Sequence, residues 1–127
     1  MILNLTDLSP EPLQQQIIRQ IRARVLSGEI PAGMALPSIR GFAREHRVSV
    51  ITVQRAYEEL AREGLIVSRR GKGFFVNDLT DEAKKIMAGD RVHDELGPII
   101  AQAIDDGLSV KEIKDIVAKI LNENGSR

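Results

Sequence analysis

The sequence predicts a mainly α-helical chain with one small β-hairpin: a winged helix-turn-helix followed by a C-terminal helical hairpin. Three observations predict it. Apolar residues recur at helical spacing along most of the 127 positions. One short stretch, residues 65–76, switches to a period of two around a Gly-rich turn. Capping residues, glycines and prolines stand at the junctions between these segments.

The first helix follows Pro10 and Pro12. Leu13, Ile17, Ile21 and Val25 fall one turn apart, with Ile18 and Leu26 beside them, so they form one apolar face. Pro12 suits a first turn, where its missing N–H costs nothing. Gly28 supplies a left-handed stop. Pro31-Ala32-Gly33 reads as a turn, and Leu36 cannot be helical before Pro37. Ser38 then caps a short helix from Ile39 to about His46, and Ser49 caps a longer one to about Glu63, which Gly64 stops. Val53, Ala56, Tyr57 and Leu60 make the second helix's inner face. Two helices joined by a short turn are the helix-turn-helix pattern.

Leu65 to Ser68 and Phe74 to Val76 read as two strands around Arg69-Arg70-Gly71-Lys72-Gly73. A hairpin in this place is a wing. Its tip carries three cations, and its glycines let backbone lie close to a polyanionic surface. From Thr80 the pattern is helical again, with acids in the first turn. Gly89 and Gly97-Pro98 predict a kink or break near Pro98. Gly107 ends that segment. Ser109 and Glu112 form a capping box before the last helix, and residues 122–127 are expected to fray.

The tail sets a physical problem. Leu96, Ile99, Ile100, Ala103 and Ile104 share one face, and Ile113, Ile116, Val117, Ile120 and Leu121 form another. Two helices of about 45 residues cannot bury both faces alone, so a second copy is the expected cover. The expected domains are 1–77, the head, and 78–127, a two-helix dimerisation domain. A tail packed back on the head of a monomer is the alternative.

Net charge is zero, with 18 basic and 18 acidic residues, but it is unevenly spread. Residues 1–76 carry 11 basic and 7 acidic side chains, or +4, and the remainder carries 7 and 11, or −4. The first part uses Arg almost exclusively. That asymmetry points to a nucleic-acid-facing module beside one that faces something else. Absence of Cys excludes a disulfide scaffold, a thiol nucleophile and Cys-ligated metals. No signal segment, no membrane span and no membrane partner are expected. His46 and His93 have no plausible partner spacing, and no nucleophile-elbow, phosphate-loop or dinucleotide fingerprint is present, so no enzyme, metal or cofactor is expected.

The runs Pro37-Ser38-Ile39-Arg40, Val48 to Leu60, Gly64-Leu65-Ile66 and Arg69 to Val76, preceded by Pro12-Leu13 and Pro31 to Leu36, closely resemble the DNA-binding domain of GntR-family transcription regulators. The resemblance is collinear over about residues 10–76, and the short tail is similar to the YtrA subfamily. It implies a cytoplasmic bacterial homodimer that binds a palindromic operator in double-stranded DNA, a repressor by expectation. Arg40 matches the arginine that opens the first motif helix, positions 49 to 55 match the recognition helix, and Arg70 with Gly71-Lys72-Gly73 matches the wing.

The expected DNA contacts are Arg40, Arg44, Ser49, Val50, Thr52, Gln54, Arg55, Arg69, Arg70, Gly71, Lys72 and Gly73. Each has a plainer role. The cations can be solvated, Ser49 can simply cap, Arg55 can pair with Glu58 or Glu59, and the glycines can simply turn the chain. Tyr57 is expected in the core. The sequence departs from the family where Gly41 and Arg47 stand, and Arg47 is strained if the turn needs positive φ. It departs further at Val50 and Ile51. These carry no hydrogen-bonding group and can meet only apolar features such as thymine methyls, so an operator cannot be transferred from relatives. The rival function is a winged-helix module that docks protein instead of DNA. A small-molecule effector that alters the spacing of two heads also fits, but no polar cluster in residues 78–127 names it.

Overall fold

Helix α1 (Leu13–Leu26) is held by what its apolar stripe meets: Ile17, Ile21 and Val25 have no exposed surface. The computed structural model describes residues 1–125. Helices α2 (Ile39–His46) and α3 (Val50–Arg62) follow, each opened by the serine expected to cap it. The Ser38 hydroxyl accepts from the Gly41 N–H at 3.0 Å, and the Ser49 hydroxyl from the Thr52 N–H at 3.1 Å. α3 packs on α1, on α2 and on the first strand, so it is the central element of the head. An aromatic chain crosses these layers. Phe42 meets Tyr57 edge-on at 6.1 Å, and Tyr57 meets Phe74 at 5.3 Å. Phe42 and Tyr57 are fully buried, a burial worth roughly 1.5–3 kcal/mol for each side chain, and Phe74 is half-buried. The Tyr57 hydroxyl donates to the Pro37 carbonyl at 2.9 Å, and burial pushes its pKa well above the ordinary value.

The turn between α2 and α3 has left-handed Arg47 at its centre, with φ +55°. Its N–H donates to the Arg44 carbonyl, and the Val48 N–H donates to the Ala43 carbonyl. This pair of bonds ends a helix in the Schellman manner. Glycine would take that conformation without strain, so the chain spends some stability to place a cation there.

The first twelve residues form an arm that the sequence pattern did not announce. Gln16, Gln20 and Arg24 stand one helical turn apart, and they grip residues 6, 4 and 2 of the extended arm. The Gln16 side chain accepts from the Thr6 N–H at 3.0 Å and donates to the Thr6 carbonyl at 2.9 Å and the Glu11 carbonyl at 2.8 Å. Gln20 exchanges the same pair of bonds with Asn4, and Arg24 donates to the Ile2 carbonyl at 3.0 Å. Four helical residues rise about 6 Å and two extended residues advance nearly as far, so the two periods match. Leu3 is buried, and its N–H donates to His46 Nε2 at 3.0 Å. His46 Nδ1 faces the Phe42 carbonyl at 3.0 Å, so Nδ1 carries the proton and Nε2 accepts.

Strands β1 (Ile66–Arg69) and β2 (Gly73–Val76) pair antiparallel, with Ile66 opposite Val76 and Arg69 opposite Gly73. The hairpin begins one residue later than Leu65, which is buried ahead of the strand. The other edge of β2 is covered. Leu36 donates to the Phe74 carbonyl, Val76 to the Met34 carbonyl and Gly33 to the Val76 carbonyl. The segment expected to be a plain turn thus doubles as a third, bridge-length strand at Ala35.

Helix α4 (Asp81–Asp105) opens on Thr80, whose hydroxyl accepts from the Ala83 N–H at 3.0 Å. The expected break near Pro98 does not occur, and α4 runs through it. Proline removes one N–H and frees the Asp94 carbonyl, but Asp94 is exposed and water can satisfy it. Gly107, at φ +99°, ends α4 with a second Schellman pair. Helix α5 (Val110–Asn124) carries the expected capping box. Residues 122–124 are helical rather than frayed. Positions 126 and 127, the end of that expectation, lie outside the described residues. The chain divides into two compact units inside α4, residues 1–84 and the residues from 85 onward.

Candidate nucleic-acid interface

The lysines and arginines of residues 1–77 sort into two sets. Arg19 pairs with Glu11, Arg22 with Glu63, Arg24 with Glu29 and Arg62 with Glu59. The Arg22 pair is bidentate, at 2.8 and 2.7 Å. The other seven are Arg40, Arg44, Arg47, Arg55, Arg69, Arg70 and Lys72. All seven are exposed, and none has a carboxylate within 4 Å among the described residues. The paired cations sit on α1 and at the C-terminal end of α3. The unpaired ones sit on α2, the turn, the N-terminal half of α3 and the wing.

Every cation expected to touch DNA falls in the unpaired set. Arg55 makes no ion pair with either candidate partner among the described residues. Glu58 accepts from Gln54 at 3.1 Å, and Glu59 is held by Arg62. Arg47 is the addition that sequence reasoning missed. Its position between the helices was visible, but only its backbone strain drew notice.

α2 presents Arg40 and Arg44 one turn apart. Together with Ala43, Val48 and Val50 they line an open depression of about 330 Å³. At the head of α3 the polar groups are partly used. The Ser49 hydroxyl caps Thr52 and also lies 2.7 Å from the Thr52 hydroxyl. One Gln54 amide N–H goes to Glu58, which leaves its oxygen and second N–H for a base. Val50 and Ile51 are 44% and 48% exposed.

In the wing, the Arg69 guanidinium lies over the Phe75 ring at 4.6 Å, an attraction that steadies it without neutralising it. Arg70, Gly71 and Lys72 make the tip, closed by a bond from the Lys72 N–H to the Arg69 carbonyl at 2.9 Å. Gly71 and Gly73 both have positive φ, which frees the tip of Cβ atoms where the backbone turns.

The tail offers a different surface. Ile99, Ile104, Ile116, Ile120 and Leu121 are about half or more exposed. Leu96, Ile100, Ala103, Ile113 and Val117 are half-buried. No side chain of α4 or α5 is fully buried among the described residues.

The family described as bacterial regulatory proteins, gntR family, matches residues 13–76. Among curated relatives, the transcriptional repressor NagR of Bacillus subtilis is 36% identical over 75 residues, covering 59% of this chain and 31% of NagR. The repressor YtrA of the same organism is 30% identical over 116 residues, covering 88% of this chain and 86% of YtrA. The chain therefore spans about a third of NagR but most of YtrA. Among solved structures, a transcriptional antiterminator from Listeria monocytogenes superposes with TM-score 0.70 at 30% identity, over 94% of this chain and 90% of that one. YtrA of Sulfolobus acidocaldarius gives 0.58 at 30% identity, over 97% and 99%. The AraR DNA-binding domain, solved in complex with an operator, gives 0.53 at 25% identity, over 60% and 98%.

Proposed function

The chain belongs to the gntR family of bacterial regulatory proteins, a family of DNA-binding transcription regulators and not enzymes, and from that membership we propose that it represses transcription by binding a palindromic operator as a homodimer. The observation that carries the reading is the sorting of cations. All seven unpaired lysines and arginines of residues 1–77 belong to α2, the turn, the leading half of α3 and the wing. Unpaired cations keep their full attraction for phosphate, whereas an arginine already bound bidentately to a carboxylate does not.

In this reading α3 enters the major groove. Arg40, Arg44 and Arg47 hold the phosphates beside it, and Arg70 and Lys72 approach the flanking minor groove. Phosphate contacts set register, and the exposed side chains of positions 50 to 55 set base preference. The apolar faces of α4 and α5 pair with those of a second copy. Two-fold symmetry then places the two α3 helices about 34 Å apart and makes the operator a palindrome. We place the protein in the cytoplasm with its DNA; no described helix is long and apolar enough to cross a membrane. A small-molecule effector that changes head spacing belongs to the same reading, and a shift of operator affinity on adding candidate metabolites is its test.

Titrating a labelled operator with wild type, Arg40→Ala and Arg70→Ala over a range of salt tests the interface. Each variant should weaken binding and flatten the logarithmic salt dependence by about one unit per lost phosphate contact. Unchanged affinity and slope in both variants would remove this face from the interface.

A further inference from the structure

We infer that the leading turn of α3 reads thymine 5-methyl groups through Val50 and Ile51, so that the operator half-site carries thymines where these two side chains meet it. This rests on the proposed entry of α3 into the major groove and specifies what that entry recognises.

Three observations carry it. Val50 and Ile51 are 44% and 48% exposed, whereas Val53, Ala56, Tyr57 and Leu60, the apolar residues that face inward from α3, have no exposed surface. The pair is therefore not part of the head's core. Next, the hydrogen-bonding groups around them are already engaged: the Ser49 and Thr52 hydroxyls with each other and with the helix end, and one Gln54 N–H with Glu58. Positions 50 and 51 thus offer only methyl groups, and the free oxygen and N–H of Gln54 lie one turn further along the helix. Finally, Val50 lines one open depression together with Arg40, Arg44, Ala43 and Val48. Two guanidinium groups and the Val50 methyls around one depression suit a strand that presents a phosphate and, beside it, an apolar group. In the major groove only thymine presents one, and cytosine has a bare C5 at that place.

The test uses the full chain and duplexes selected by it from a random pool. Each thymine of the selected half-site is replaced by deoxyuridine, which deletes the methyl and keeps every hydrogen-bonding group. We expect two neighbouring thymines per half-site at which replacement lowers affinity about fourfold, the effect of losing one buried methyl group. Val50→Ala should abolish the response at one of them and Ile51→Ala at the other. Both positions are exposed and alanine favours helix, so the variants should fold, which thermal unfolding checks. Selected duplexes that bind equally well with deoxyuridine throughout would overturn the inference and leave the proposed function standing. Variants that keep the full deoxyuridine response would also overturn it. Failure to select or bind any duplex at low salt would overturn both and favour a docked protein on this face.

Discussion

The head and the tail of this chain solve the burial problem in opposite ways. In residues 1–84, α1 and α3 place nine side chains wholly or almost wholly out of solvent, and no buried side-chain nitrogen or oxygen among the described residues lacks a partner. In the tail, helices of 25 and 15 residues bury no side chain completely. The head is complete as one copy. The tail keeps helix caps in good order yet leaves Ile99, Ile104, Ile116 and Ile120 exposed. Helices of this kind draw most of their stability from packing, so the tail's order is coupled to whatever covers it. The division suits the proposed homodimer, in which each head folds alone and a second copy covers the tail.

The largest expected effect breaks the head. Phe42→Ala removes a ring stacked on His46 at 3.9 Å and edge-on to Tyr57. It should cost about 3–5 kcal/mol in urea unfolding monitored by circular dichroism, independent of protein concentration. The tail should behave differently. Ile116→Asp with Ile120→Asp should yield monomers in sedimentation and leave the head's unfolding midpoint in place. Operator affinity should fall roughly a hundredfold, as expected when two linked sites become one. A stable dimer in that variant would mean that α5 is not the interface.

Gln16 offers a subtler cut. Gln16→Ala strands the Thr6 N–H and two carbonyls of the arm, and it should cost about 1–3 kcal/mol in urea unfolding. Amide exchange at Thr6 and Asn4 should quicken well before that at α3. If exchange in the arm is unchanged, the ladder of Gln16, Gln20 and Arg24 does not hold it.

These regions were not equally legible in the sequence. Helices α1, α2, α3 and α5 were, because their apolar period meets serine caps at the start of α2, α3 and α5, and Pro12 and Gly28 at the ends of α1. The arm was not. Its partners, Gln16, Gln20 and Arg24, form a polar stripe that looks like a solvated face, and nothing local reveals that Thr6 and Asn4 return to it. At Pro98 the helix stays unbroken for a related reason: the proline's penalty falls on a carbonyl that water reaches. In the candidate interface, residue types and order were readable from residues 37–76. Which cations are free was not, since Glu63 neutralises an arginine 41 positions away and Arg62 takes Glu59, one of the two carboxylates open to Arg55.

Acid should separate head from tail with the smallest effect of all. Glu112 accepts from the Ser109 N–H at 3.0 Å in the α5 capping box, and this bond, with the serine hydroxyl's, holds its pKa below the ordinary 4.5. Glu11, in the head, is held low chiefly by its hydrogen bond from Arg19. A carboxylate whose folded pKa is depressed adds stability above its unfolded pKa and loses it as pH falls through the folded value. Both contributions should therefore fade below roughly pH 4.5, and the pairing of tails should weaken with the box. Glu112→Gln keeps an oxygen for the Ser109 N–H and cannot titrate. It should flatten the acid dependence of the dimer fraction seen by sedimentation. Glu11→Gln should leave that dependence unchanged and alter only the acid unfolding of the head. If both substitutions moved the dimer fraction alike, head and tail would not be the separate folding problems that their burial describes.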